Sequence, residues 1–318
     1  MLFKTLALGL SMMTGFLPAA GGDPVGEPME SERGCHRTAS GYTCFYGPFQ
    51  VGPEGKEVLK LVQAPNRAGY ITDARATLVN RDNDQVPPHM VHLHHAVWVN
   101  PIEEDLTCAM SPGERFFGSG KERTPMRLPD GYGYLWRNQA SSEWPYGGRK
   151  GWGLTAHLDG MHDMTHGGIF IRLRMGFTPE SQQTLERIRP VWLDVNGSCS
   201  IDPTFDVPRG SGEDNRFRIS ATRAMPRAGR FIGMSGHLHD GGRRLILRNN
   251  TTGEGVFTAR ARYDDPDHPW FLTRMTSFYD IEGPEVAAGD ELELTAVYDS
   301  SRRWEDAMGI MLGALVEQ

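Results

Sequence analysis

Stretches in which apolar and polar residues alternate, each bounded by Gly, Pro, Asn or Asp, recur along almost the whole chain. Tyr42 to Gly52, Glu57 to Val62 and Tyr70 to Asn80 carry this period of two, which in a half-buried strand sends successive side chains to opposite faces. Arg81-Asp82-Asn83-Asp84 supplies the turn after the third. Met90 to Asn100 reads as a strand held between Pro87-Pro88 and Pro101, and Tyr132 to Trp136 follows the turn Leu128-Pro129-Asp130-Gly131. Ile169 to Met175 alternates with Arg172 and Arg174 facing outward. Further strands are expected over Pro190 to Val195, Asn215 to Ala224, Arg230 to His239, Arg243 to Arg248, Gly255 to Tyr263 and Gly309 to Val316. Leu292, Leu294, Ala296 and Tyr298 share one face of another. No 3.6-residue period is sustained. Pro179 to Ile188 reads as a short connector, and Pro101 to Met126, rich in Gly, Glu and Ser, as a loop. The pattern predicts an all-β chain of two tandem jelly-roll-like sandwiches, the first over 41–186 and the second over 187–318.

The first residues break this pattern. Lys4, an apolar run from Leu6 to Leu17 and the small residues Ala19-Ala20-Gly21 have the layout of a secretory signal peptide over 1–21. The run is shorter than the roughly 20 residues of a spanning helix and is interrupted by Ser11, Thr14 and Gly15, so stable membrane insertion is not expected. Residues 22–40, polar and Pro/Gly-rich at their start, form the lead-in. Four cysteines, Cys35, Cys44, Cys108 and Cys199, fit an exported chain with two disulfides. Cys35 and Cys44 are close enough to close a small loop, which would leave Cys108 with Cys199; the three connectivities stay open. A secreted or periplasmic protein is the expectation. The net charge of −7, with Lys and Arg scattered along the 318 residues, gives no reason to expect nucleic acid as a partner.

Histidine is where the chemistry concentrates. Met90 to Asn100 contains His92, His94 and His95, and strand alternation puts His92 and His94 on one face with His95 on the other. A lone buried His is ordinarily a hydrogen-bonded core residue; three in four positions point to metal. His237 and His239 repeat the theme on one face of a strand that ends at Gly241-Gly242. A third group, His157, His162 and His166, lies between them, and His157, at the end of a strand-like segment, is the most rigidly placed of the three. Imidazole suits Cu(II) and a thioether suits Cu(I), so His with Met favours a copper that changes oxidation state. Core packing is the ordinary role of any one of the 15 methionines. Asp240, beside His239, is a candidate to orient a ring nitrogen.

Taken in order, His94-His95, His157, His237-Leu238-His239 and Met308 resemble the ligand pattern of the copper type II, ascorbate-dependent monooxygenases, the family of peptidylglycine α-hydroxylating and dopamine β-monooxygenases. Arg127-Leu128-Pro129-Asp130-Gly131 is also similar to a family segment. The resemblance implies two copper ions, an electron-transferring one on His94, His95 and His157 and an oxygen-binding one on His237, His239 and Met308, the last three being the catalytic set. It further implies O2, a small-molecule substrate hydroxylated at a C–H bond, and ascorbate or another reductant. Ser235 stands where the amidating enzyme has a substrate-binding Arg, and Ile310 and Leu312 occupy the region of its Tyr and Asn, so peptide amidation is not expected. Non-catalytic copper binding, storage or delivery, and a zinc hydrolase, are the alternatives the same histidines allow.

Overall fold

The computed structural model describes residues 34–141, 147–161, 163–197, 199, 203–267 and 269–318. The expected signal peptide, the lead-in up to residue 33, and His162 lie outside the described residues. The strands of five residues or more are β1 (Gly41–Val51), β2 (Lys56–Val62), β3 (Gly69–Val79), β4 (Val91–Asn100), β5 (Glu114–Gly120), β6 (Tyr132–Trp136), β7 (Trp152–Gly160), β8 (His166–Pro179), β9 (Arg189–Asp194), β10 (Arg216–Ala224), β11 (Gly229–Leu238), β12 (Gly242–Asn249), β13 (Glu254–Arg262), β14 (Glu291–Asp299) and β15 (Gly309–Glu317). The all-β expectation holds; a single turn of 3-10 helix over Glu213–Asn215 is the one helical element among the described residues.

Up to Arg187 the chain builds two facing sheets, in the orders β1-β8-β3-β6 and β2-β7-β4-β5. That interleaving, in which each sheet alternates early and late strands, is the jelly-roll arrangement. Alternation explains the core: Ile71, Leu78, Trp98, Trp136, Trp152, Leu154, Ile171 and Leu173 are almost fully buried and point inward from both sheets. From Arg189 onward, β9-β15-β11 faces β10-β14-β12-β13 around a second core that includes Phe231, Leu245, Leu247, Leu294 and Tyr298. Ile232 and Ala314 pack with the first core instead, and Trp192, Met308 and Ile310 form a small apolar cluster with Val97 against it. The β9-β15-β11 sheet therefore turns one face to its own core and the other to the first sandwich.

Two disulfides form, Cys35–Cys44 and Cys108–Cys199. Two local expectations are corrected. The 101–126 loop contains β5, an edge strand that pairs with β4 and buries Phe116 and Phe117; its adjacent aromatics break the alternation by which it would have been read. The strand after the third histidine group runs longer than Ile169 to Met175, with register shifts that obscure its period.

Candidate metal centre

β4 carries the first histidines, and a bulge decides where they point. His95 pairs with His157 on β7, the next pair is Leu93 with Leu158, and His94 is the extra residue between them. A bulge turns two consecutive residues to one side of a sheet. His94 and His95 accordingly share a face, their Nδ1 atoms 3.1 Å apart, which corrects the simple alternation that sent His95 to the opposite side. His157 projects from the same face, its ring centroid 5.0 Å from that of His94 and 6.1 Å from that of His95.

β11 brings the second pair to meet the first. The ring of His239 lies 4.0 Å, centroid to centroid, from the ring of His94, and that of His237 lies 5.1 Å from His239. The two groups expected from sequence are thus halves of one continuous cluster. Nitrogen atoms of His94, His95 and His239, drawn from both halves, lie within 4.8 Å of one another. Met308 is buried beside Trp192 and Ile310 and lines the same cavity as His95 and His237.

The second half is fixed by partners that leave one nitrogen of each ring open. His237 Nδ1 lies 3.1 and 3.2 Å from the carboxylate oxygens of Glu122, which is itself buried. His239 Nδ1–H donates to the backbone carbonyl of Asp306 at 2.5 Å. The Nε2 atoms of His237 and His239 are buried with no hydrogen-bond partner among the described residues. A buried polar atom left unpaired is costly and uncommon, whereas an imidazole held by one nitrogen and bare at the other is the standing requirement for a metal ligand. These residues fit copper. Burial also holds His94 at a pKa of about 3, His95 at about 4, and His239 well below its ordinary value, so all three are neutral and ligand-competent near pH 7.

His157 is in a different state. Its Nδ1 pairs with Glu57 and its Nε2 lies 2.7 Å from Asp159, and the bond to Asp159 leads the causes that raise its pKa to about 9. Both ring nitrogens are engaged, so His157 joins a metal only by giving up a proton and a carboxylate. Asp159 also approaches His92 Nε2 at 2.8 Å, which makes it the bridge between two histidines of neighbouring strands. His92 is buried, edge-on to Phe271. His166 lies at the start of β8, where it pairs with Val51.

Sequence reasoning missed Glu122, Lys121, Asp159 and Glu57. Asp159 sits two residues from His157 and could have been found by strand alternation; Glu122 is 115 positions from His237 and carries no local signal. The ring-orienting role expected of Asp240 is corrected: its carboxylate takes Lys121 Nζ at 2.7 Å and the backbone N–H of Leu272 at 2.9 Å, and Asp306 orients His239 instead. Lys121 and Glu122, from the turn after β5, therefore grip the second sandwich on either side of His239. Gly120 makes room for this, since a Cβ there would fall 2.6 Å from the His237 ring and 2.7 Å from the Glu122 carboxylate.

A cavity of about 650 Å³ opens from the cluster between the sandwiches. Its wall is largely apolar, with Val97, Trp192, Ile310 and Leu312 beside His95, His237 and Met308. Asp194, whose carboxyl is pushed up to about 6 by burial, is a polar exception.

No family model matches the chain. It is similar to two curated fungal proteins. It shares 29% identity over 237 residues with the "Probable copper-dependent oxygenase clz3" of Cochliobolus lunatus, covering 71% of this chain and 72% of the relative. It shares 28% over 237 residues with the "Probable copper-dependent oxygenase M1" of a Phoma species, covering 71% of this chain and 58% of that longer protein. Among solved structures, the VP2 subviral particle of infectious bursal disease virus aligns over 86% of this chain and 71% of its own at 12% identity, with a TM-score of 0.25.

Proposed function

We propose that this protein is a copper-dependent oxygenase, and more narrowly an exported monooxygenase that hydroxylates a C–H bond of a small, largely apolar substrate. The observation that carries the reading is the pair of buried, unpartnered Nε2 atoms of His237 and His239, set against His94 and His95 at the mouth of an apolar cavity. The names of the two similar proteins support the same chemistry. His94 and His95, with His157 once it is released from its carboxylates, would hold one copper; His237, His239 and Met308 would hold a second.

Bound copper would supply dioxygen activation and electron transfer, so that one oxygen atom enters the substrate as a hydroxyl and the other leaves as water, with two electrons and two protons taken from a reductant such as ascorbate. The chain's own residues set the conditions for this. Glu122 and the Asp306 carbonyl hold the His237 and His239 rings so that Nε2 faces the cluster. Val97, Trp192, Ile310 and Leu312 exclude water and seat an apolar substrate beside these rings. Met308, a soft donor on the cavity wall, would favour the reduced metal. Export is supported by the two disulfides and by the leader-like start.

The test is metal titration followed by oxygen uptake. Copper should bind tightly and in preference to zinc, and oxygen consumption with ascorbate should require it and vanish in His239→Ala. Tight copper binding with no oxygen uptake across reductants and apolar substrates would favour copper storage or delivery.

A further inference from the structure

The arginines that look scattered in the sequence converge on one surface of the second sandwich. Along β10, β12 and β13 the residues that face away from the core include Arg216, Arg218, Arg244, Arg260 and Arg262. Strand register aligns them: Arg218 stands opposite Val297, Val297 opposite Arg244, and Arg244 opposite Arg260. Three arginines thus occupy one row across four strands, spanning about 14 Å at the usual strand spacing. Arg216 and Arg262 lie two residues further along their strands toward the same end, about 7 Å from the row.

Asp299, opposite Arg216 in the register, is taken up by Arg243. Among the described residues none of the five has a carboxylate within ion-pair distance, although on the same sheet Arg243 pairs with Asp299 and Arg274 with Asp264. Arg244 is the centre of the group. Its Nε is buried without a hydrogen-bond partner, and burial first, then the charges of Arg218, Arg260, Arg216 and Arg243, push its pKa down. Like charges gathered in this way destabilise the fold unless an anion relieves them. A chain of net charge −7 thus gathers on one sheet face five arginines that have no ion pair among the described residues, which favours an anionic partner.

We propose that this arginine lattice is a docking surface for an acidic polysaccharide, whose carboxylate or sulfate groups repeat along a stiff chain. Guanidinium groups recognise such oxyanions through paired, parallel hydrogen bonds, which a row of lysines would not do. Single-stranded nucleic acid fits poorly because the outward residues around the arginines are Ser220, Thr222, Thr258, Thr295, Ile246 and Val297, with Glu293 and Asp299 at the margins and no aromatic ring for a base to stack on. A lipid surface fits poorly because none of the large exposed apolar side chains lies on these strands. The face belongs to the sheet turned away from the histidine cluster, so docking would hold the protein on an extracellular matrix while leaving the cavity free.

The experiment compares the full chain with Arg218→Ser/Arg244→Ser/Arg260→Ser and with a control, Arg37→Ser/Arg67→Ser/Arg174→Ser, that has the same net charge. Probes are heparin, polygalacturonate, a duplex DNA, and vesicles of phosphatidylserine with phosphatidylcholine, all at about 50 mM salt, where exposed charges are weakly screened. The expected result is binding to heparin or polygalacturonate that weakens by about tenfold or more in the first triple variant and is unchanged in the control. Oxygen uptake without polysaccharide should be the same in all three proteins. The proposal is overturned if neither polysaccharide binds, if the two triple variants weaken binding equally, or if DNA or the vesicles bind more tightly than the polysaccharides. Circular dichroism and unfolding midpoints close to those of the parent distinguish lost docking from lost fold.

Discussion

The two halves of the histidine cluster are built on opposite principles. At the end of β11 and just past it, His237 and His239 each have Nδ1 committed to a fixed partner and Nε2 left bare, which is the geometry the proposed copper would need. On β4 and β7, His94 and His95 lean on each other and His157 is locked, protonated, between Glu57 and Asp159. One half is preorganised; the other would have to lose a proton and part with a carboxylate to complete the proposed set. Preorganisation depends on residues of the other sandwich, since Glu122 and Lys121 come from the turn after β5. The halves are therefore coupled through the protein as well as through the facing rings of His94 and His239.

The comparison is broken most severely by removing a bare nitrogen. His239→Ala should eliminate the preorganised copper, read as the loss of one equivalent in a titration followed by absorption or electron paramagnetic resonance. The other half should still bind, more weakly than before, because His94 loses the tilted ring packed against it. Retention of the full copper complement would show that β11 does not carry a ligand set.

A smaller effect should follow from loosening the partner. Glu122→Ala should weaken copper at His237 and His239 by about 10- to 100-fold, the usual cost of losing a ligand's orienting group. Glu122→Gln, which keeps an oxygen facing Nδ1, should recover most of it. Equal losses in both variants would mean that the charge of Glu122, rather than the direction of its bond, is what matters.

The locked half has a pH signature. His157 has a folded pKa near 9, above its unfolded value of about 6.5. Its bonds to Asp159 and Glu57 therefore contribute stability that is fully present below about pH 6.5 and is lost as pH rises through 9. Urea unfolding of the metal-free chain should show a falling midpoint between pH 7 and 10, and Asp159→Asn should flatten it. His94 and His95, held near 3 and 4, have the reverse sign, so stability should also fall as pH drops below about 6.5. A midpoint independent of pH from 7 to 10 would mean that the His157 bridge is not formed.

The mildest expected change is Met308→Leu, which keeps volume in a packed cluster and should cost under about 1.5 kcal/mol in stability. X-ray absorption of the reduced, copper-loaded protein should nonetheless lose its copper–sulfur contribution. Survival of that contribution would move the role to another methionine, Met234 or Met311.

Much of this architecture was legible in the chain. Period-two alternation marked most of the strands because each sheet buries one face, and three of the histidines were conspicuous by crowding. What escaped depends on contacts that spacing cannot encode. The bulge at His94, which gathers two adjacent rings on one face, is a matter of register with His157 and Leu158 on another strand. Glu122 meets His237 only because two sandwiches pack together, and β5 was lost in a Gly-rich stretch whose paired phenylalanines interrupt the alternation. The distance between the two ligand groups, which sets whether they work separately or as one, was likewise a tertiary property.

Coupling between the halves is tested most directly by the electron paramagnetic resonance spectrum of Cu(II) held by His237 and His239, recorded in the parent chain and in His94→Ala. His94→Ala should remove one copper and also shift the spectrum of the copper that remains, because His94 packs against His239. Loss of one copper with an unchanged spectrum of the other would contradict it, and would describe two independent sites that happen to lie side by side.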